Sequence, residues 1–87
     1  MKIEVDPRVF ELHPELSEDD VKHAVGRPIK SQHRLDTDPM ECVGVGPDLA
    51  GNTLQWIGVR HPDDVTGWYI YHSMRATKKV LKELGMI

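Results

Sequence analysis

The most constraining feature of this chain is a change of hydrophobic period close to Pro28. Ahead of it, Val21, Ala24 and Val25 recur at helical spacing and form a narrow apolar stripe. Ser17 is placed to cap the amides that follow, and Asp20, three residues on, supplies a shorter-carboxylate variant of the capping box. Glu18, Asp19 and Asp20 suit the positive end of the helix dipole, while Leu16 and Val21 have the spacing of a hydrophobic staple. Gly26, with Pro28 beyond it, ends the helix. From Ile29 onward the beat becomes that of strands.

Weak alternation runs from Ile29 to Leu35 and stronger β character from Cys42 to Val45, separated by Asp36-Thr37-Asp38-Pro39. The turn formers of Gly46 to Asn52 join two antiparallel strands. Thr53 to Arg60 is the next strand, His61-Pro62-Asp63-Asp64 a turn, and Thr66 to His72 the last strand. Simple alternation there puts Trp68, Ile70 and His72 on one face and Tyr69 and Tyr71 on the other. Ser73 reads as the cap of a closing helix whose stripe is Met74, Thr77, Val80, Leu81 and Leu84, ended by Gly85. At the other end, Met1 to Val5 is a short strand or lead-in, and Asp6-Pro7 opens a brief helical turn that His13-Pro14 stops. Consecutive strands joined by short turns, with helices segregated before and after, predict an α+β fold: an antiparallel four-stranded sheet preceded by two short helices and followed by a C-terminal helix.

Eighty-seven residues make one domain, 1–87, with a thin core. No apolar run approaches the roughly 20 residues that cross a bilayer, and the amino terminus lacks the plan of a signal peptide, so a cytoplasmic protein is expected, not a membrane one. Cys42 is the single cysteine, which excludes an internal disulfide and a paired-cysteine zinc site and leaves a small buried strand residue. The five histidines show no metal-binding spacing, and neither a Gly-rich phosphate loop nor a serine nucleophile elbow is present. No metal or cofactor is therefore expected. The formal charge of -3 disfavours indiscriminate nucleic-acid binding, but the charges are uneven. Residues 1–50 carry 6 basic and 11 acidic side chains, and residues 51–87 carry 5 and 3. Most of the carboxyl-terminal excess lies at Arg75, Lys78, Lys79 and Lys82.

The order of motifs adds a resemblance. Ile3-Glu4-Val5-Asp6-Pro7-Arg8 followed by His13 to Asp20 and the turn near Pro28 resembles the opening of BrnT-type toxins, a branch of the RelE-type ribonuclease toxins. Gly51 to Arg60 is similar to their middle hairpin, and His72-Ser73-Met74-Arg75-Ala76-Thr77-Lys78-Lys79 to their Arg-Ala-Thr-basic-basic ending. Pro14 in place of glycine, His72 in place of serine and the negative charge mark a divergent member. The resemblance implies a RelE-like fold and a toxin of a toxin-antitoxin pair. Such a toxin is a metal-independent endoribonuclease acting on messenger RNA, on or off the ribosome, with a cognate antitoxin protein as partner. The competing reading is a non-enzymatic protein-binding module of the same fold.

Metal-free RNA cleavage needs a base for the 2′-hydroxyl, a cation on the phosphate and an acid for the leaving oxygen. His72, beside the basic segment, is the candidate acid or base; otherwise it is a histidine bonded to backbone. Arg75, in the first turn of the closing helix, opposes the helix dipole and calls for an anionic partner, a phosphate or a carboxylate. Arg60, ending a strand, is a second phosphate candidate or a plain exposed arginine. Lys78, Lys79 and Lys82 either attract the RNA strand or form a solvated helix face. His23 and Arg27 fit a helix end without further function. Trp56, Trp68, Tyr69 and Tyr71 can stack on unpaired bases, although core packing claims Trp68 and one tyrosine first.

Overall fold

A computed structural model describes residues Met1 to Ile87. The elements run β1 (Ile3–Val5), α1 (Arg8–Leu12), α2 (Glu18–Gly26), β2 (Lys30–Arg34), β3 (Glu41–Pro47), β4 (Thr53–His61), β5 (Asp64–Arg75) and α3 (Lys78–Glu83). No helix is long and apolar enough to cross a membrane.

The capping box forms in full. Ser17 Oγ accepts the Asp20 amide at 3.0 Å, and the Asp20 carboxylate accepts the Ser17 amide and hydroxyl. The remaining Asp20 oxygen accepts the Leu49 amide, so the same side chain ties the helix start to the β3–β4 turn. In that turn the buried Asp48 carboxylate accepts the amides of Ala50 and Asn52, and Gly51 takes a φ of 87°. Leu16 and Val21 are both buried in one cluster, as the staple spacing predicts.

The sheet corrects the sequence expectation. It has five strands in the order β1-β5-β4-β3-β2, and it is mixed, because β1 pairs in parallel with β5. Three residues are too few to display alternation, and their partners Trp68, Tyr69 and Ile70 lie at the far end of the chain, out of reach of a local pattern. The α+β class, the two leading helices and the closing helix stand as expected.

Helices occupy both faces. On one, α1 and α2 seal Val5, Val9, Val21, Ala24, Val25, Leu54, Trp56 and Ile70 into the main cluster. On the other, α3 lays Val80 and Leu84 over Val43 and Val45. Each such side chain contributes about 1.5–3 kcal/mol when fully buried. Two glycines on β3 set the spacing of the first layer. A Cβ at Gly44 would stand 2.4 Å from the Trp56 ring, and one at Gly46 would stand 2.1 Å from the Ala24 carbonyl oxygen. The Trp56 ring and the α2 backbone thus rest directly on bare strand.

The closing helix starts later than its pattern suggests. Strand β5 continues through Arg75, Thr77 is the cap, and its hydroxyl accepts the Val80 amide at 3.4 Å. Ser73 cannot serve as the cap because it is buried within β5 and donates its hydroxyl to the Gln55 carbonyl. The end is as expected: Gly85, at φ 71°, donates to Lys82 O and Met86 donates to Leu81 O, a Schellman closure.

Gly46→Ala is expected to destabilise the fold by about 3 kcal/mol, because rigid backbone leaves no room for the methyl group, whereas Ser17→Ala should cost about 1 kcal/mol through the lost cap. Urea midpoints of the two variants at neutral pH check the ranking; equal losses would refute the tight α2–β3 approach.

Candidate functional site

The site follows from one irregularity in the β4–β5 ladder. Ile57 pairs with His72 and Gly58 pairs with Ile70, so Tyr71 is an extra residue, a β-bulge. The bulge resets the alternation and moves His72 onto the face of Tyr69 and Tyr71, which corrects the expectation that His72 shares a face with Trp68 and Ile70. That face is only partly covered. A helix of six residues is about 9 Å long, against about 19 Å for a five-stranded sheet. Beside α3, the strands leave Tyr69, Tyr71 and His72 half-buried and Glu4 exposed.

His72 is held by Gln55. The Gln55 side-chain oxygen accepts both the amide and the hydroxyl of Thr77 at 2.8 Å, which orients its NH2 toward His72 Nε2 at 2.9 Å. The imidazole therefore accepts at Nε2 and carries its proton on Nδ1. Burial, and secondarily the neighbouring His13 and Arg34, holds His72 below its ordinary value of 6.5, so it is neutral at pH 7.

Around it runs a charged network. Arg34 makes a two-point contact with Glu83 of α3 at 2.7 and 2.8 Å and also reaches Glu41 at 3.2 Å. These bonds raise the Arg34 pKa and lower that of Glu83. Tyr71 donates its hydroxyl to the other Glu41 oxygen. Nearby, Tyr69 donates to Asp6 at 2.7 Å, and Arg8 pairs with the same carboxylate at 2.9 Å. Hydrogen bonds from Arg8, then Tyr69, hold Asp6 well below the usual carboxylate range. At the β4–β5 turn the buried His61 accepts the Asp63 amide at Nδ1 and so donates from Nε2 to Glu4 at 2.8 Å. No group of three or more His, Cys, Asp or Glu side chains is arranged to hold a metal ion.

The expected cluster of cations does not assemble around His72. Arg60 pairs with Trp68 on the α1–α2 side of the sheet, its guanidinium 4.0 Å from the Trp68 ring centroid. Arg75 is exposed at the end of β5 and pairs with Leu54 of the α1–α2 layer, not in a helical turn. Lys78 and Lys79 are exposed on α3, one and two residues beyond Thr77, on the side of the sheet that His72 occupies. Among the aromatic residues, Trp56 is the most deeply buried, with Trp68 only half-buried and neither tyrosine sealed. Sequence reasoning missed Arg34, Glu41, Gln55 and Asp6. The alternation of Tyr69 and Tyr71 hinted at one polar-aromatic face, but nothing local announced their carboxylate partners.

Beneath the turn between β2 and β3 lie two adjoining hollows. A cavity of about 610 Å³ is lined by His33, Pro39, Met40, Val59, Arg60, Pro62 and Tyr69. A smaller one of about 420 Å³, sharing Pro39 and Val59, is lined also by Thr37, Asp38, Glu41 and Tyr71. No family model, curated protein or solved structure matches the chain.

His72 links the site to stability. Because its folded pKa lies below its unfolded value, its contribution is complete above about pH 6.5 and is lost as pH falls through that value toward the folded pKa. The urea midpoint should therefore drop less between about pH 7.5 and about pH 5 in His72→Gln than in the parent, since the other histidines are common to both. Equal slopes would show that position 72 takes up its proton as freely folded as unfolded.

Proposed function

We propose that this chain is a RelE-like, BrnT-type toxin domain, an endoribonuclease that acts on messenger RNA from the open face of its sheet. The observation that carries the reading is the placement of a neutral imidazole, His72, on the same uncovered face as the Tyr71–Glu41 pair and the Arg34 network. The order of a first strand, two helices, an antiparallel run and a closing helix supports the RelE-like assignment.

In this reading the Gln55 amide yields its bond to His72 Nε2 when RNA enters, and the freed nitrogen takes the proton of the 2′-hydroxyl as that oxygen attacks phosphorus. The bond from phosphorus to the 5′-oxygen breaks, the leaving oxygen takes the Tyr71 phenolic proton, and a 2′,3′-cyclic phosphate remains. Proton return from His72 restores the phenol. Gln55 is a positioning residue, since it fixes the imidazole through its bond to α3. Lys78 and Lys79 draw the strand toward the face. Arg75 and Arg60, on the opposite side of the sheet, have no part in this step.

Purified protein should cleave RNA, alone or with translating ribosomes, and His72→Ala should lower the rate about 10²–10⁴-fold, the usual worth of a general base. Tyr71→Phe should also slow it, while Arg75→Ala leaves it unchanged. RNA left intact under both conditions at low salt would end the proposal.

One observation favours the non-enzymatic protein-binding reading. Arg34 is fully engaged by Glu41 and Glu83, and the open face carries Glu4, Asp6 and Glu41, so the one guanidinium beside His72 is already paired. On that reading His72→Ala leaves partner binding nearly intact and no RNA is cut.

A further inference from the structure

The guanidinium of Arg60 has an unusual position for an exposed cation. The ion pairs of the chain engage Arg8, His13, Lys22, Arg34 and His61, and none includes Arg60. Instead it lies 4.0 Å from the centroid of the Trp68 ring. An arginine stacked on an aromatic ring keeps the donors of its planar edge free and loses little further entropy on meeting an anion. The His33 ring lies near the same indole, centroids 6.0 Å apart and planes tilted by 38°.

Both residues border the cavity of about 610 Å³, a volume within the usual span of small-ligand sites, roughly 300–1,000 Å³. Its remaining walls are Pro39, Met40, Val59, Pro62 and the ring of Tyr69. The Tyr69 hydroxyl is already engaged with Asp6, so the ring is the part left to contact a ligand. An apolar slot with an aromatic wall and one unpaired, pre-oriented guanidinium suits a flat ring system joined to a single anionic group.

We infer that this cavity binds a nucleotide, its base between Tyr69 and the Pro39–Met40 wall and its phosphate on the edge of Arg60. The adjoining hollow, which shares Pro39 and Val59, leads to Glu41 and Tyr71, so one nucleotide of a single strand seated here lies next to the open face. The inference deepens the ribonuclease reading and rests on it for RNA as the source; a free mononucleotide offers the same chemistry. Arg60 thereby gains a role on the opposite side of the sheet from His72, in holding rather than in cleavage.

The test is titration of the intact chain at low salt with adenosine monophosphate, with inorganic phosphate and with a short single-stranded oligouridylate, followed by tryptophan fluorescence. Nucleotide or oligomer should give a saturable change, with inorganic phosphate at least about tenfold weaker because it leaves the apolar walls unused. Arg60→Gln should weaken binding about tenfold or more, while Arg27→Gln, a change at an exposed helix end, should bind the mononucleotide as the parent does. Since Arg60 also packs on Trp68, Met40→Glu serves as a second variant that places a negative charge in the cavity without touching that stack; it should likewise bind at least about tenfold more weakly. Binding of the oligomer alone assigns the site to a strand, and binding of the mononucleotide as well assigns it to either source. No saturable change with nucleotide or oligomer, or undiminished binding by both variants, overturns the inference. Because the readout is binding, nucleotide capture by a chain that cuts no RNA would sink the ribonuclease reading and leave this one standing.

Discussion

The structure turns on one buried amide. Gln55 lies on the α3 side of β4, where its oxygen receives two donors from Thr77 and its nitrogen reaches His72. A buried side-chain amide left without partners costs on the order of 1–3 kcal/mol, a loss that these bonds prevent. They decide where α3 begins and which tautomer His72 adopts. Through Thr77 they also decide that Ser73 and Arg75 belong to a strand. The Arg34–Glu83 contact then pins the other end of the same short helix to β2.

That arrangement separates the cations into different environments. The bulge at Tyr71 carries His72 to one side of the sheet while Arg60 and Arg75 stay with the layer of the leading helices. A site built on the open face therefore works with carboxylates, phenols and one neutral imidazole, the single nearby guanidinium being held by two acids. Such a face suits proton transfer better than phosphate capture, because paired charges offer little field to an incoming anion. The unpaired Arg60 beside its apolar cavity supplies what that face lacks, at a different position.

The parts of the fold legible in the sequence are those whose causes are local. The Ser17 box, the Leu16–Val21 staple, the Gly85 stop, the Asp48–Asn52 turn and the switch to strands each depend on residues a few positions apart. Trp56 shows where locality fails: its burial depends on Gly44 of a neighbouring strand, which leaves room for the ring. The candidate site was legible only in its residue types. His72, Lys78 and Lys79 do lie on one side of the sheet, but Glu41 and Arg34 entered through pairings across β2, β3 and α3 that no spacing announces.

By itself the amino-acid sequence determined the α+β class, the helix caps and turns, and a net positive balance in residues 51–87, since short-range hydrogen bonding, hydrophobic period and composition decide such features. Only the tertiary structure decided the fifth strand, the bulge at Tyr71 and the face to which each charged group belongs. A strand side chain points up or down by a count of residues, and one inserted residue reverses that count for everything beyond it. The insertion is stabilised by partners distant in the chain, so the direction of His72 exists only once the sheet has closed around it.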